Sequence, residues 1–309
     1  MITIVTFNPS IDNLYKVESI ELGKVQRVLS SNRTAGGKGI NVAKVCKILN
    51  EDPCVLGFVG GFNGEFIKAE LKKLKIEENF TKIDKETRNC LNIIDKEKIS
   101  TEFLEKGPEI KNIEYNKFFE DLEIALKNTK ILIATGSCCL NMPEDCYEKI
   151  GNMCRGNDIK FILDSSGEPL KKALKSKPFL IKPNIDEIEQ ILGEKMNSEL
   201  DIILAGKTLK CSGAENVCIS LGKDGMIFIN DSGVYRVRIP KVNAENPVGS
   251  GDSTVAGFAV GVLRNYGIYE LLSFSNACGI SNALNLETGF VKKEEVEKYK
   301  NLVEVIKVD

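Results

Sequence analysis

Apolar runs of strand length alternate along the chain with segments of helical period. Ile2 to Phe7, Cys54 to Val59, Ile131 to Thr135, Ile159 to Asp164, Phe179 to Lys182 and Val217 to Leu221 read as strands buried on both faces, with helices such as Phe66 to Leu74 between them. Several of these runs end in Gly, Asn or Asp, where a ligand-binding loop would sit. Such β-α-β punctuation predicts an α/β fold in which a mostly parallel sheet carries helices on both faces, with ligands beyond the carboxyl ends of its strands.

Two segments break the rhythm. Leu14 to Ser31 lacks a helix, and in Leu91 to Glu105 the runs LNII and ISTEFLE flank the turn Asp95-Lys-Glu-Lys98 as a hairpin does. Strands that leave a parallel sheet in this way predict a small β appendage, either a lid over a site or a pairing surface for a partner. No stretch rich in Pro, Gly or Ser reads as a linker, so residues 1–309 are expected to form one domain. The Lys-rich stretch Leu71 to Lys75 reads as the solvated face of a helix.

Composition narrows the function. Lys plus Arg total 42 against 44 Asp plus Glu, and this net charge of -2 provides no global field for nucleic acid or an acidic membrane. An anionic ligand must then be met by local charges. The first residues carry no basic segment followed by a cleavage site, and no apolar run approaches the roughly 18 residues of a membrane span, so a cytoplasmic protein is expected. The ten cysteines include no Cys-x-x-Cys pair and are read as buried thiols, the adjacent Cys138 and Cys139 being poorly placed to bridge. Histidine is absent, which excludes Ser-His-Asp and Cys-His catalysis, histidine bases and the commonest zinc sites. The chemistry falls to carboxylates, backbone amides, Lys and Arg.

In Val248-Gly-Ser-Gly-Asp252 a glycine-rich turn opens a helix of small residues. Backbone amides at such a helix start, freed of Cβ bulk by Gly249 and Gly251, make a site for negative charge, which suits a phosphate in transfer. Asp252 alone could be an ordinary N-cap. The glycines around Ser250, the small residues behind it and a second glycine loop argue for a catalytic base. That second loop, Thr34-Ala-Gly-Gly-Lys-Gly-Ile-Asn41, offers Lys38 and Asn41 as ligands. It fits neither a P-loop, since Gly39 follows Lys38, nor a dinucleotide fingerprint, since Val42 stands where a glycine is needed. A nicotinamide oxidoreductase is disfavoured on the same ground.

Together the loops resemble those of the ribokinase and phosphofructokinase-B family of sugar kinases, over nearly the whole chain. AGGKGINVA at 35 to 43 is similar to the family's N-terminal motif and NPVGSGDSTVAGFA at 246 to 259 to its C-terminal one. Ile181-Lys-Pro-Asn-Ile-Asp-Glu187 resembles its KPNxxE segment and Ser220-Leu-Gly-Lys-Asp-Gly225 its SLGxxG turn. The resemblance implies a ribokinase-like three-layer fold with a lid at about 12–33 and 87–106, through which many such kinases dimerise. It implies ATP and Mg²⁺, an anion hole of Gly249, Ser250 and Gly251, and Asp252 as base, ionised at neutral pH without special tuning. Lys182, Asn184, Ser220, Gly222, Gly225 and Asn282 would meet the nucleotide, and Glu187 the Mg²⁺ shell through water.

For the sugar, the resemblance implies Asp12, Gly37, Lys38, Asn41, Arg88, Cys90 and Ser137, with Arg27 adding charge. Convergence of Arg27, Lys38 and Arg88 would suit an acceptor that is already phosphorylated. Asp12 by itself is equally compatible with an Asx turn after Pro9. The opening TFNPSID and the Lys38 loop resemble the hexose-phosphate branch. Glu86-Thr-Arg-Asn-Cys90 and Glu105-Lys-Gly-Pro-Glu109 look most like tagatose-6-phosphate kinases, whereas Leu56 to Gly64 fits 1-phosphofructokinases at least as well. The expectation is phosphorylation of tagatose 6-phosphate, with fructose 1-phosphate as the alternative acceptor. A catalytically silent nucleotide or sugar-phosphate sensor is the reading from another class.

Overall fold

A computed structural model describes residues 1–309. In chain order the strands are β1 (Ile2–Thr6), β2 (Ser10–Lys16), β3 (Ser30–Gly36), β4 (Pro53–Val59), β5 (Glu77–Lys82), β6 (Asn89–Ile94), β7 (Ser100–Leu104), β8 (Ile131–Thr135), β9 (Lys160–Asp164), β10 (Leu180–Ile181), β11 (Asn216–Ser220), β12 (Met226–Asn230), β13 (Gly233–Arg238) and β14 (Glu304–Lys307). The helices are α1 (Lys38–Ile48), α2 (Gly61–Lys73), α3 (Asn112–Leu126), α4 (Cys146–Gly156), α5 (Gly167–Ala173), α6 (Ile185–Leu192), α7 (Glu199–Cys211), α8 (Ser250–Leu263), α9 (Ile268–Ala283) and α10 (Lys293–Lys300).

Ten strands form one sheet in the order β14-β13-β12-β11-β10-β9-β8-β1-β4-β5. From β11 to β5 every pairing is parallel, and only β12, β13 and β14 run antiparallel at one edge. Alternation along each parallel strand sends side chains into two separate cores. Ile2, Ile4, Ile131 and Ile133 face α1, α8 and α9, while Val5, Leu132 and Ala134 face α3, α4 and α7. Burial on both sides is why these strands are continuously apolar in sequence. All six strands read from the apolar runs are present, shifted at their ends by a residue or two.

The helix expected from Phe66 starts at Gly61, five residues earlier. The Glu86 carboxylate explains this by accepting from the Asn63 backbone N–H at 2.6 Å, a cap from a distant loop that local pattern does not reveal. Gly61 has φ +64, and a Cβ there would lie 1.8 Å from Glu86 Oε2. The unforeseen antiparallel edge arises because β12 and β13 form a hairpin after β11 and β14 adds to it.

The two segments without helices form a second sheet, β3-β2-β6-β7, which is the small β appendage that their pattern predicts. β6 and β7 are the hairpin around Asp95 to Lys98, and β2 pairs parallel to β6 so that Asp12 lies opposite Cys90. β2 follows β1 directly and β3 runs into α1, which roots this sheet beside the end of β1 and the start of α1.

Candidate active site

Every segment of the cleft leaves the carboxyl end of a parallel strand: Asn8 after β1, Gly136 and Ser137 after β8, Asp164 at the end of β9, Lys182 after β10 and Ser220 at the end of β11. Two helix N-termini point the same way, from α1 at Lys38 and from α8 at Ser250. Gly249 caps α8 at φ +83, a left-handed conformation favouring glycine, and a Cβ there would meet Thr288 Cγ2 at 2.6 Å.

Asp252 is not the N-cap of α8 but sits within its first turn. It is buried, and its Oδ2 accepts from Asn41 Nδ2 at 2.9 Å. Burial pushes its carboxyl up to about 6, against the lowering effect of Lys38, Asn41 and Lys182. The expectation of an untuned carboxylate is therefore corrected: tertiary burial places Asp252 close to neutrality.

Asp164, unassigned from sequence, is the electrostatic centre. Its Oδ2 accepts from Lys38 Nζ at 3.2 Å and from Thr135 Oγ1 at 3.2 Å, while Lys182 Nζ lies 3.2 Å from its Oδ1. Burial alone would raise this carboxyl, but Lys182 and Lys38 outweigh it and hold it below the usual range. Asp164 in turn holds Lys38 firmly protonated. A Cβ on Gly251 would lie 3.3 Å from Lys182 Nζ, so that ammonium sits against the start of α8. The sequence did offer a signal, since the strand ends in Asp where a ligand loop begins.

At the other end of the cleft Asp12 Oδ1 accepts from Ser10 Oγ at 2.6 Å, and a Cβ on Gly36 would occupy the place of its carboxylate. Burial raises Asp12, opposed by Ser10, Lys44 and Arg88. Arg88 donates to the Asn8 and Glu105 carbonyls at 3.1 Å each, tying the lid to β1. Asn8 Nδ2 donates to Ser137 Oγ at 3.2 Å. Asn8 Oδ1 and Asn41 Oδ1 are buried acceptors without a partner. Lys44, also missed from sequence, is buried near Asp12 and donates to the Ala35 carbonyl. Gly37 caps α1 at φ +95, and Cys90 flanks Asp12.

Two sequence expectations are corrected. Arg27 does not converge with Lys38 and Arg88: it is exposed on the loop between β2 and β3, without a hydrogen bond or ion pair. Asn282 is no adenine contact. It is fully buried, donates to Val248 O and Ser250 Oγ, and accepts from Ser253 Oγ and the Gly289 backbone N–H. Its amide is saturated, and it acts as a clamp on the glycine loop.

Asn184 and Glu187 form a reciprocal capping box at α6, with Glu187 Oε2 accepting from the Asn184 backbone N–H at 2.9 Å. The second oxygen of Glu187 has no hydrogen-bond partner. Asn184 and Ser220 are bridged backbone to backbone. Beyond them Gly222 has φ +58 with open space over its Cα, while Gly225 has φ +89 and packs on the Val237 carbonyl. No cluster of three or more acidic, Cys or His side chains is available to cage a metal. The second carboxylate oxygen of Glu187 fits an Mg²⁺ ion that keeps waters and takes most of its other ligands from phosphates.

A model of the pfkB family of carbohydrate kinases matches residues 5–293. Tagatose-6-phosphate kinase of Staphylococcus epidermidis is 38% identical over 311 aligned positions, covering 100% of both chains. Among solved structures, phosphofructokinase-2 from Escherichia coli in complex with potassium superposes with a TM-score of 0.90 at 24% identity, over 97% of this chain and 98% of that one. A ribokinase from Arabidopsis thaliana superposes at 0.81 with 18% identity, over 97% and 98%. With a three-layer ribokinase-like fold, two glycine loops in place and a near-full-length family match, the chain belongs to the pfkB family of carbohydrate kinases and is an ATP-dependent sugar kinase.

Proposed function

We propose that this kinase transfers the terminal phosphoryl group of ATP to a free hydroxyl of a ketohexose monophosphate, tagatose 6-phosphate giving tagatose 1,6-bisphosphate. The observation that carries the reading is the buried Asp252 carboxylate in the first turn of α8, beside Gly249 to Gly251 and within the field of Lys38 and Lys182. Asp252 takes the proton from the sugar hydroxyl as its oxygen bonds to phosphorus and the bond to ADP breaks. The amides of Gly249, Ser250 and Gly251 meet the charge of the phosphoryl group in transfer, with Lys182 at its side. Glu187 would hold Mg²⁺ through water, and the ion, when bound with ATP, would supply neutralisation of phosphate charge.

Asp12 and the unpartnered acceptors of Asn8 and Asn41 suit sugar hydroxyls, which are donors seeking such oxygens. The Arg88 guanidinium makes no ion pair within the chain, its contacts being the Asn8 and Glu105 carbonyls, and it supports an acceptor phosphate near the lid with Ser137 and Cys90 close by. The 38% identity to a tagatose-6-phosphate kinase supports the choice of sugar. The stretch Leu56 to Gly64, which fits 1-phosphofructokinases at least as well, runs from the end of β4 into the start of α2 and keeps fructose 1-phosphate as the alternative acceptor. ADP release measured across tagatose 6-phosphate, fructose 6-phosphate and fructose 1-phosphate should give the highest kcat/KM with the first. A higher value with fructose 1-phosphate would reassign the enzyme, and no ADP from any acceptor would make it a sensor.

The lid presents Leu22, Val25, Leu29, Ile99, Phe103 and Leu104 to solvent, an apolar surface that supports a homodimer formed through these strands. Phe103→Asp on edge strand β7 should convert the dimer to monomer in sedimentation velocity. A wild-type protein that sediments as a monomer would overturn this arrangement.

A further inference from the structure

Cys138 lies in the loop after β8, half-buried, and Cys146 opens α4 and is buried. Their sulfurs are 3.3 Å apart, and no other two cysteines of the chain are in hydrogen-bonding contact. The contact is polarised. The Cys146 thiol holds Cys138 below its ordinary value, while Cys146 is itself pushed far up by that hydrogen bond and by burial. Cys138, the less buried of the two, is the one that a small oxidant reaches first.

We propose that Cys138 and Cys146 form a dithiol–disulfide site oxidised by hydroperoxides, and that closing the bond displaces Ser137 from the substrate. The Cys138 thiolate attacks one peroxide oxygen; the S–O bond forms, the O–O bond breaks, and with hydrogen peroxide the leaving hydroxide takes a proton as water. The Cys146 sulfur then displaces the hydroxyl of the Cys138 sulfenic acid, which leaves as a second water. Two thiol hydrogens are lost and one peroxide is reduced to two waters.

The loop is built to transmit the closure. A disulfide needs its sulfurs at ~2.05 Å, so the pair must approach by about 1.3 Å. Cys138 is held between two tethers: Cys139 Sγ donates to the Phe7 carbonyl at 3.0 Å, and Ser137 Oγ accepts from Asn8. Asn8 is in turn the carbonyl partner of Arg88. A displacement of that size at Cys138 breaks the Ser137 contact, and errors of about 1 Å at a positioning group are enough to impair a site.

The coupling to substrate rests on the function proposed above, whereas the cross-link does not, and the test separates them. Wild-type enzyme is treated with hydrogen peroxide and its tryptic peptide Ile131–Lys149 is sequenced by tandem mass spectrometry, with the exposed Cys211 as the internal measure of oxidation. Loss of two hydrogens is expected in wild type and in Cys139→Ser but not in Cys146→Ser, where Cys138 stops at a dimedone-trappable sulfenic acid. The KM for tagatose 6-phosphate should rise about ten-fold, the effect of one lost hydrogen bond, and return with dithiothreitol. Oxygen addition at Cys138 without a cross-link, or an unreacted pair when Cys211 is oxidised, overturns the site. A cross-link that leaves the KM unchanged overturns the coupling.

Discussion

Replacing Asp252 by Asn is expected to lower kcat at least about 100-fold and by up to about 10,000-fold, the usual contribution of a positioned general base. ATP affinity should be retained, since the amides of the glycine loop and Lys182 are untouched. Because the Asp252 carboxyl is pushed up to about 6, it must lose its proton before it can accept one. Wild-type kcat/KM should therefore fall as pH drops through about 6, roughly tenfold for each further pH unit, and this acidic limb should vanish in the Asn variant.

The same burial affects stability, with the opposite sign. A carboxyl raised from 3.8 to about 6 binds its proton more tightly in the folded state, so folding is favoured at low pH and that advantage is lost as pH rises through the window. At neutral pH the ionised group costs about 3 kcal/mol, an upper estimate for this interval. Asp252→Asn removes the charge while keeping an acceptor for Asn41. Its unfolding free energy at pH 7 to 8 should exceed that of wild type, with the difference closing below pH 4. An Asn variant that keeps more than about a tenth of the wild-type rate would remove Asp252 from the role of base.

Asp164→Ala should be the most damaging single change to the fold around the site. It leaves the buried Lys182 ammonium and the Lys38 ammonium near one another without the carboxylate that bonds both, only the more distant Asp252 and Glu187 remaining, and removing one partner of a buried pair costs about 3–5 kcal/mol. In wild type the pairing of Asp164, held below its usual value, contributes above the ordinary carboxylate range and is lost as pH falls through its folded value. In the variant the lysines become hard to protonate, so its stability deficit should narrow as pH rises toward the lysine range. Urea unfolding at pH 7 and at pH 9.5 checks both the size and this direction. A deficit under about 1 kcal/mol at pH 7 would mean that solvent already screens the pair.

Periodicity made most of the fold legible. Strands buried on both faces leave continuous apolar runs, and the lid strands declared themselves by lacking helices. The end of the site at Asp252 was legible because Gly249 and Gly251 are needed by local geometry, a left-handed cap and a close lysine, that any sequence must meet with small residues. Asp164 was not legible in the same way. An Asp at a strand end is common, and its importance comes from Lys38, 126 residues away in the chain. Asn282 misled for a related reason: an Asn in a helix can face a cleft or a core with the same pattern, and only the packing of α9 on α8 turned its amide into a clamp.

By itself, then, the sequence determined the layered architecture and the absence of histidine chemistry, and it supplied the proposed phosphate-binding helix start and the proposal of Asp252 as base, because each depends on residue type and short spacing. The tertiary structure alone decided how acidic Asp252 is, which lysines face which carboxylates, and that Arg27 stays on the lid surface within one chain. Desolvation and Coulomb interactions depend on distance and burial between segments far apart in sequence, and no local pattern encodes them.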